Sequence, residues 1–215
     1  MQDLVNVTAI VLSATPVGEY DKRVVLLTKE RGKITAFAKG ARRQTSKLMA
    51  GTNLFAFGEF TLYPGRNAYT MTDAKIQNYF EELRLDFEGA YYGMFFLEVC
   101  DYYTRENNDE KEMLKLLYQS LKALSVKSLN RKLVQCVFEM KALVINGEFP
   151  GVPAEGKWQE STEFAINYIM DSTIEKLYTF TVSDSVLEEL IWISERYRLR
   201  YIDREFKSLE MLSVL

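Results

Sequence analysis

Histidine is absent from this 215-residue chain, and cysteine nearly so, Cys100 and Cys136 being the only two. Without histidine there is no Ser-His or Cys-His nucleophile pair and no imidazole metal ligand. Two thiols cannot build a four-thiolate zinc site. Each lies among apolar residues in a helical pattern, which reads as a buried thiol. A disulfide between them is not expected in a reducing compartment. Only four prolines occur and no low-complexity tract, so disorder is not the default. No apolar run reaches about 18 residues, so no membrane span is expected. The segment Met1 to Asn6 lacks the basic start and long apolar core of a secretory signal, which points to the cytoplasm. The Asn6-Val7-Thr8 sequon would matter only on a secretory route. No Gly-rich dinucleotide fingerprint follows a strand. The acids Asp109, Glu110 and Glu112 sit at a helix start, where they favour the dipole. No catalytic residue, metal or cofactor is therefore expected.

Apolar residues make up 47% and charged residues 27%, the balance of a globular protein with one large or two small domains. The net charge of −3 hides an asymmetry. Residues 1–80 hold eleven bases against six acids, a surplus of +5, so the remainder carries −8. Such a split points to a basic working half and an acidic supporting half.

The densest basic stretch is Lys39-Gly40-Ala41-Arg42-Arg43-Gln44-Thr45-Ser46-Lys47, where four of nine residues are cationic. It is not a Walker phosphate loop, because Thr45 and Ser46 stand where Gly-Lys would be needed. It reads either as a loop gripping a nucleic-acid backbone through guanidinium forks and ammonium groups, or as a solvated hairpin tip.

Short strand-like runs surround it. Val5 to Leu12 is β-rich and is broken over Pro16 to Tyr20. Arg23 to Thr28 is apolar and β-branched, and Arg31-Gly32 signals a turn. Lys33 to Lys39 alternates, with Ile34, Ala36 and Ala38 opposed to Lys33, Thr35, Phe37 and Lys39. Asn53 to Tyr63 and Ala68 to Thr72 complete five strands, a pattern that suggests a small barrel. The face of Lys33, Phe37 and Lys39 interleaves cations with a ring on which a base could stack. Phe55, Phe57 and Tyr63 would extend it from one face of the fourth strand. Packing of these rings in a core is the competing reading.

From about residue 81 the period becomes helical. Tyr91 to Tyr103 is apolar on most sides and reads as a buried helix. Leu114, Leu117, Leu121 and Leu124 stripe the next, capped by Asn108 or Asp109. Leu133, Val137, Met140 and Val144 stripe a third, closed by Asn146-Gly147. Trp158 to Met170 reads as a short helix. Ser185 with Glu188 fits a capping box opening a helix through Tyr201. A last helix is expected from Asp203 to Leu212. Arg196, Arg200, Arg204 and Lys207 would make one basic stripe on a continuous helix, able to hold an acidic peptide or a phosphate chain. A solvated face balanced by Glu195, Asp203 and Glu205 is the alternative. The domain boundary is expected near Asn78 to Leu83, giving 1–80 and 81–215.

Several stretches fall in a familiar order. Thr8 to Leu12, Tyr20-Asp21-Lys22, Leu27-Thr28-Lys29-Glu30-Arg31-Gly32 and Ala38 to Arg43 are followed by Ser46-Lys47-Leu48 and Phe55. Phe138-Glu139-Met140-Lys141-Ala142-Leu143 and Gly147-x-x-Pro150 come later. Together they resemble the bacterial DNA repair protein RecO family over nearly all of the chain to residue 150, and more weakly beyond. The resemblance implies an α+β chain: a five-stranded OB-fold barrel at 1–80, then an all-helical domain at 81–215. It implies a non-enzymatic recombination mediator that binds single- and double-stranded DNA and anneals complementary strands. With RecR it would help load RecA onto strands coated by single-strand-binding protein, associating with the nucleoid during repair. Lys39, Arg42, Arg43 and Lys47 would hold phosphates, Phe37 would stack, and Lys33 and Arg66 would lie on the rim. The acidic tail of the single-strand-binding protein is a family partner, and the stripe from Arg196 is one place for it. Many family members carry a four-cysteine zinc module after the Gly-x-x-Pro element. Gly147 to Trp158 has no cysteine and is short, so no zinc is expected, and packing around Trp158 and Phe164 should take its place. Two other classes stand against the mediator: an OB-fold protein-interaction adaptor that never touches nucleic acid, and a metal-dependent nuclease built on acidic residues.

Overall fold

The computed structural model describes residues 3–214. Five strands form a closed barrel: β1 (Val5–Val17), β2 (Asp21–Thr28), β3 (Gly32–Ala38), β4 (Phe57–Pro64) and β5 (Tyr69–Asn78). The order around it is β1-β2-β3-β5-β4. All pairs are antiparallel except β3 with β5, where Ala36 faces Tyr69 and Phe37 faces Thr70. This is the OB-fold. The long β1 serves two neighbours. Val5 to Ile10 pair with β4, Ala9 to Val17 with β2, and a bulge between Val11 and Ser13 bends the strand between them. Alternate side chains point inward, and Val7, Ala9, Val11, Val24, Leu26, Ile34, Ala36, Phe60 and Leu62 fill the interior.

Two strand expectations shift. β1 runs through Pro16, opposite Lys22, and turns only at 18–20. Beyond Ile10 it has no β4 partner, so a missing N–H can face the open side. The fourth strand starts at Phe57, not Asn53. A short helix, α1 (Leu48–Gly51), precedes it, and Phe55 turns inward with φ of 69° and 2% exposure. Phe55 therefore does not share a face with Phe57 and Tyr63.

The helices are α2 (Glu81–Leu85), α3 (Phe87–Tyr103), α4 (Lys111–Leu124), α5 (Arg131–Ile145), α6 (Glu160–Asp171), α7 (Asp184–Tyr201) and α8 (Lys207–Leu212), with a 3-10 turn at Ile174–Lys176. No residue from Gly89 to Thr104 is exposed, as its apolar surface foretold. Two compact units emerge. One runs to Glu81 and takes in Leu97–Leu114; the other comprises Glu82–Phe96 and the chain from Lys115 onward.

In the first unit, the segment after α3 is laced to the β2–β3 hairpin. Lys33 N donates to Arg105 O at 3.0 Å and Asn107 N to Arg31 O at 3.0 Å. Gly32 sits between them at φ +65°, and a Cβ there would lie 2.2 Å from Arg105 O. Only glycine allows that approach.

In the second unit, α5 explains the Phe138 to Leu143 motif. Phe138 stacks on Phe96 at 4.1 Å. Lys141 is buried, and its Nζ donates to the carbonyls of Ile169, Met170 and Ser172 at the C-terminal end of α6. Glu139 accepts from Arg198 Nη1 and Gln135 Nε2, both at 2.9 Å, and from Ser194. Helix α7 is capped by Ser183, which accepts from Val186 N at 3.4 Å, so the box expected at Ser185 and Glu188 does not form. Trp158 packs against Trp192 with centroids 5.3 Å apart, where packing was expected to replace a zinc module. Phe164 takes no part in that; it is 70% exposed. Both cysteines are buried, and burial pushes their thiols up. Among the described residues no cluster of three or more His, Cys, Asp or Glu could hold a metal ion. No helix there is long and apolar enough to cross a membrane.

Candidate nucleic-acid interface

The outer surface of the barrel is set by strand register. Arg23 on β2 faces Phe37 on β3, Phe37 faces Thr70 on β5, and Thr70 faces Tyr63 on β4. Facing residues share one side of a sheet, with Cβ atoms about 5 Å apart. The result is a transverse row of cation, ring, hydroxyl and ring. Phe37 is 37% exposed and Tyr63 45%, although neither needs to be for the barrel to close. Lys39 continues past the end of β3, and Arg66 occupies the β4–β5 turn; both are exposed.

The basic loop is held against the β1–β2 turn. Gly40 N donates to the Asp21 carboxylate at 2.7 Å, and Arg42 N to Tyr20 O at 2.9 Å. The Arg42 guanidinium donates to Gly18 O at 3.2 Å and Glu19 O at 3.0 Å. Arg43 lies over the Tyr20 ring, Cζ 4.6 Å from its centroid. That contact uses the guanidinium face and leaves its N–H edge for a phosphate.

The seven residues singled out by sequence fall into two groups. Phe37, Lys39, Arg43 and Arg66 are exposed and, among the described residues, have no carboxylate partner. The other three are committed. Arg42 braces the β1–β2 turn. Lys33 pairs with Asp101 at 3.1 Å and is 22% exposed, tying β3 to the end of α3. Lys47 pairs with Asp73 at 3.0 Å, and this hydrogen bond and charge hold the Asp73 carboxyl below the usual carboxylate range. Arg23 and Tyr63 join the row through register. The sequence alone marked Arg23 only as a charge.

The stripe expected on a continuous helix is interrupted. Helix α7 ends at Tyr201, and Ile202 is extended at φ −112°, ψ 113°. Leaving the helix there lets Ile202 and Phe206 pack inward, Phe206 meeting Phe95 at 5.3 Å. Arg196 pairs with Glu155 and lies over Trp192, and Arg200 lies over Tyr201. Arg204 falls in the connector and Lys207 opens α8, so the four do not share one helix face. Arg198, which the sequence did not single out, is half-buried, its side chain 12% exposed against Glu139.

Known protein families match the chain over the barrel and over the helical region as far as residue 154. The family described as Recombination protein O N terminal matches residues 1–80, and Recombination protein O C terminal matches residues 84–154. The chain belongs to the RecO family. Its relatives include proteins named DNA repair protein RecO. That of Acetivibrio thermocellus is 29% identical over 97% of this chain and 96% of its own length. That of Alkaliphilus metalliredigens is 27% identical over 97% and 98%, and that of Clostridium novyi 25% over 96% and 93%. The first family match ends within two residues of the last barrel strand, so barrel and N-terminal family region coincide.

Proposed function

We propose that the chain serves DNA repair as a non-enzymatic recombination mediator, binding single- and double-stranded DNA on its barrel and annealing complementary strands. The observation that carries this is the row Arg23, Phe37, Thr70, Tyr63, flanked by Lys39, Arg43 and Arg66. Rings at that spacing offer stacking surfaces that any base can use, while the flanking cations follow the phosphates. Annealing forms no covalent bond. It requires two strands held with their charge neutralised and their base edges free, and a shallow open face meets that requirement. Contacts to backbone rather than base edges make sequence preference slight.

Family membership extends the proposal to partners: RecR, and the acidic tail of a single-strand-binding protein, with RecA loading as the outcome. The test is fluorescence-monitored annealing of two complementary oligonucleotides, bare and coated by single-strand-binding protein, with and without RecR. Faster annealing by the chain alone on bare strands, and RecR-dependent action on coated strands, support the proposal. No acceleration on either, with no gel shift of a single-stranded oligonucleotide, would favour the adaptor class.

A further inference from the structure

The second unit carries a groove of about 700 Å³ that the DNA-binding proposal does not use. One wall is α6, presenting Glu160, Phe164, Ala165 and Tyr168; the other is the chain from Thr179 to Ser183. That second wall behaves as a strand without a sheet. Its burial alternates strictly: Thr179, Thr181 and Ser183 are exposed, Phe180 and Val182 half-buried. Ser183 is extended at φ −69°, ψ 161°. Among the described residues, the backbone N–H and C=O groups of Phe180, Thr181 and Val182 have no protein partner. An edge of this kind is a template for another strand.

The groove is held open by its own bonds. The Tyr168 hydroxyl meets Lys176 O at 3.1 Å and Thr179 Oγ1 at 3.0 Å. Its ring meets Phe180 edge-on at 5.2 Å and Phe164 at 6.5 Å. Glu189 on α7 accepts from Gln159 N at 3.2 Å and from Thr162, fixing the start of α6. Phe164 ends this ladder of rings, 70% exposed.

Charge identifies the occupant. Residues 160–190 contain seven acids and one lysine. Such a field repels a phosphate chain and attracts cations. We infer that the Thr179–Ser183 edge takes an extended basic segment of a partner protein by strand addition. Alternate apolar side chains enter between Phe164, Tyr168 and Phe180, and lysines or arginines face Glu160 and its acidic neighbours.

Random 12-residue peptides displayed on phage would be selected on the intact chain, and the enriched sequence synthesised. The expected peptide alternates apolar residues with lysine or arginine. Its affinity should fall at least about tenfold on Phe164→Ser, as for an exposed aromatic anchor. N-methylation at alternate residues in one phase should abolish binding, and in the other phase leave it within a few-fold. Phe164 is too exposed for the substitution to threaten folding, which circular dichroism checks. Failure to enrich any peptide, enrichment of acidic ones, or indifference to Phe164→Ser or to methylation would overturn the inference. So would a concentration-dependent dimer in sedimentation that Phe164→Ser abolishes, since the edge would then belong to a second copy of the chain.

Discussion

Replacing Gly32 by alanine probes how the barrel is tied to the segment after α3. Two costs arise. A left-handed φ of +65° strains any L-residue by about 1–2 kcal/mol. The new Cβ would also lie 2.2 Å from Arg105 O and 2.9 Å from Asn108 O, both backbone atoms that cannot swing aside. The segment must retreat, and the Lys33–Arg105 and Asn107–Arg31 backbone bonds break with it, at about 0.5–1.5 kcal/mol each. The total is about 2–5 kcal/mol. Gly18 supplies the control. Its φ is +57°, but a Cβ there meets nothing within 4 Å, so Gly18→Ala should cost only the backbone strain, about 1–2 kcal/mol. Urea denaturation by far-ultraviolet circular dichroism measures both, and hydrogen exchange reads the amides of Lys33 and Asn107. Equal costs for the two variants, with unchanged exchange, would refute the close-approach argument.

Phe37→Ala and Tyr63→Ala should each weaken single-stranded DNA binding by about 1–3 kcal/mol, the worth of one stacking surface, with little change in thermal stability; fluorescence anisotropy measures the first and a melt the second. Lys141→Met should destabilise the helical unit by about 1–3 kcal/mol, because carbonyls at the end of α6 lose a buried donor, and should leave DNA affinity unchanged. The Asp73 carboxyl should titrate below the ordinary carboxylate range by carbon NMR and return toward it in Lys47→Met. Its folded value is depressed, so the pair's contribution is present above the ordinary range and fades as pH falls through the depressed value.

Much of the fold was legible because it is local. The alternation expected from Lys33 to Lys39 reappears in β3 as far as Ala38, and the leucine and valine stripes became α4 and α5. Asn146-Gly147 closed α5 as expected, with Glu148 N reaching back to Leu143 O at 2.9 Å. Most of what failed depended on partners distant in sequence. Phe55 looks like a strand residue until its neighbours draw it inward. Helix α7 stops at Ile202 with no glycine or proline to announce it, because Ile202 and Phe206 find burial elsewhere. Ser185 and Glu188 satisfy a capping pattern that Ser183 pre-empts two residues earlier. The candidate interface divides the same way. Phe37, Lys39, Arg43 and Arg66 could be named from local pattern. Tyr63 could be named as a ring on the fourth strand, but its place opposite Thr70 and that of Arg23 opposite Phe37 come only from register, and the commitment of Lys33 to Asp101 and Lys47 to Asp73 only from tertiary structure.

The salt dependence of single-stranded DNA affinity tests the proposed interface most directly. Each cation removed from a phosphate should reduce the slope of log K against log salt by about 0.7. Lys39→Ala, Arg43→Ala and Arg66→Ala combined should therefore flatten it by about 2 while the chain stays folded. A slope unchanged from that of the unaltered chain would contradict the account, because strands would then bind somewhere other than this face of the barrel.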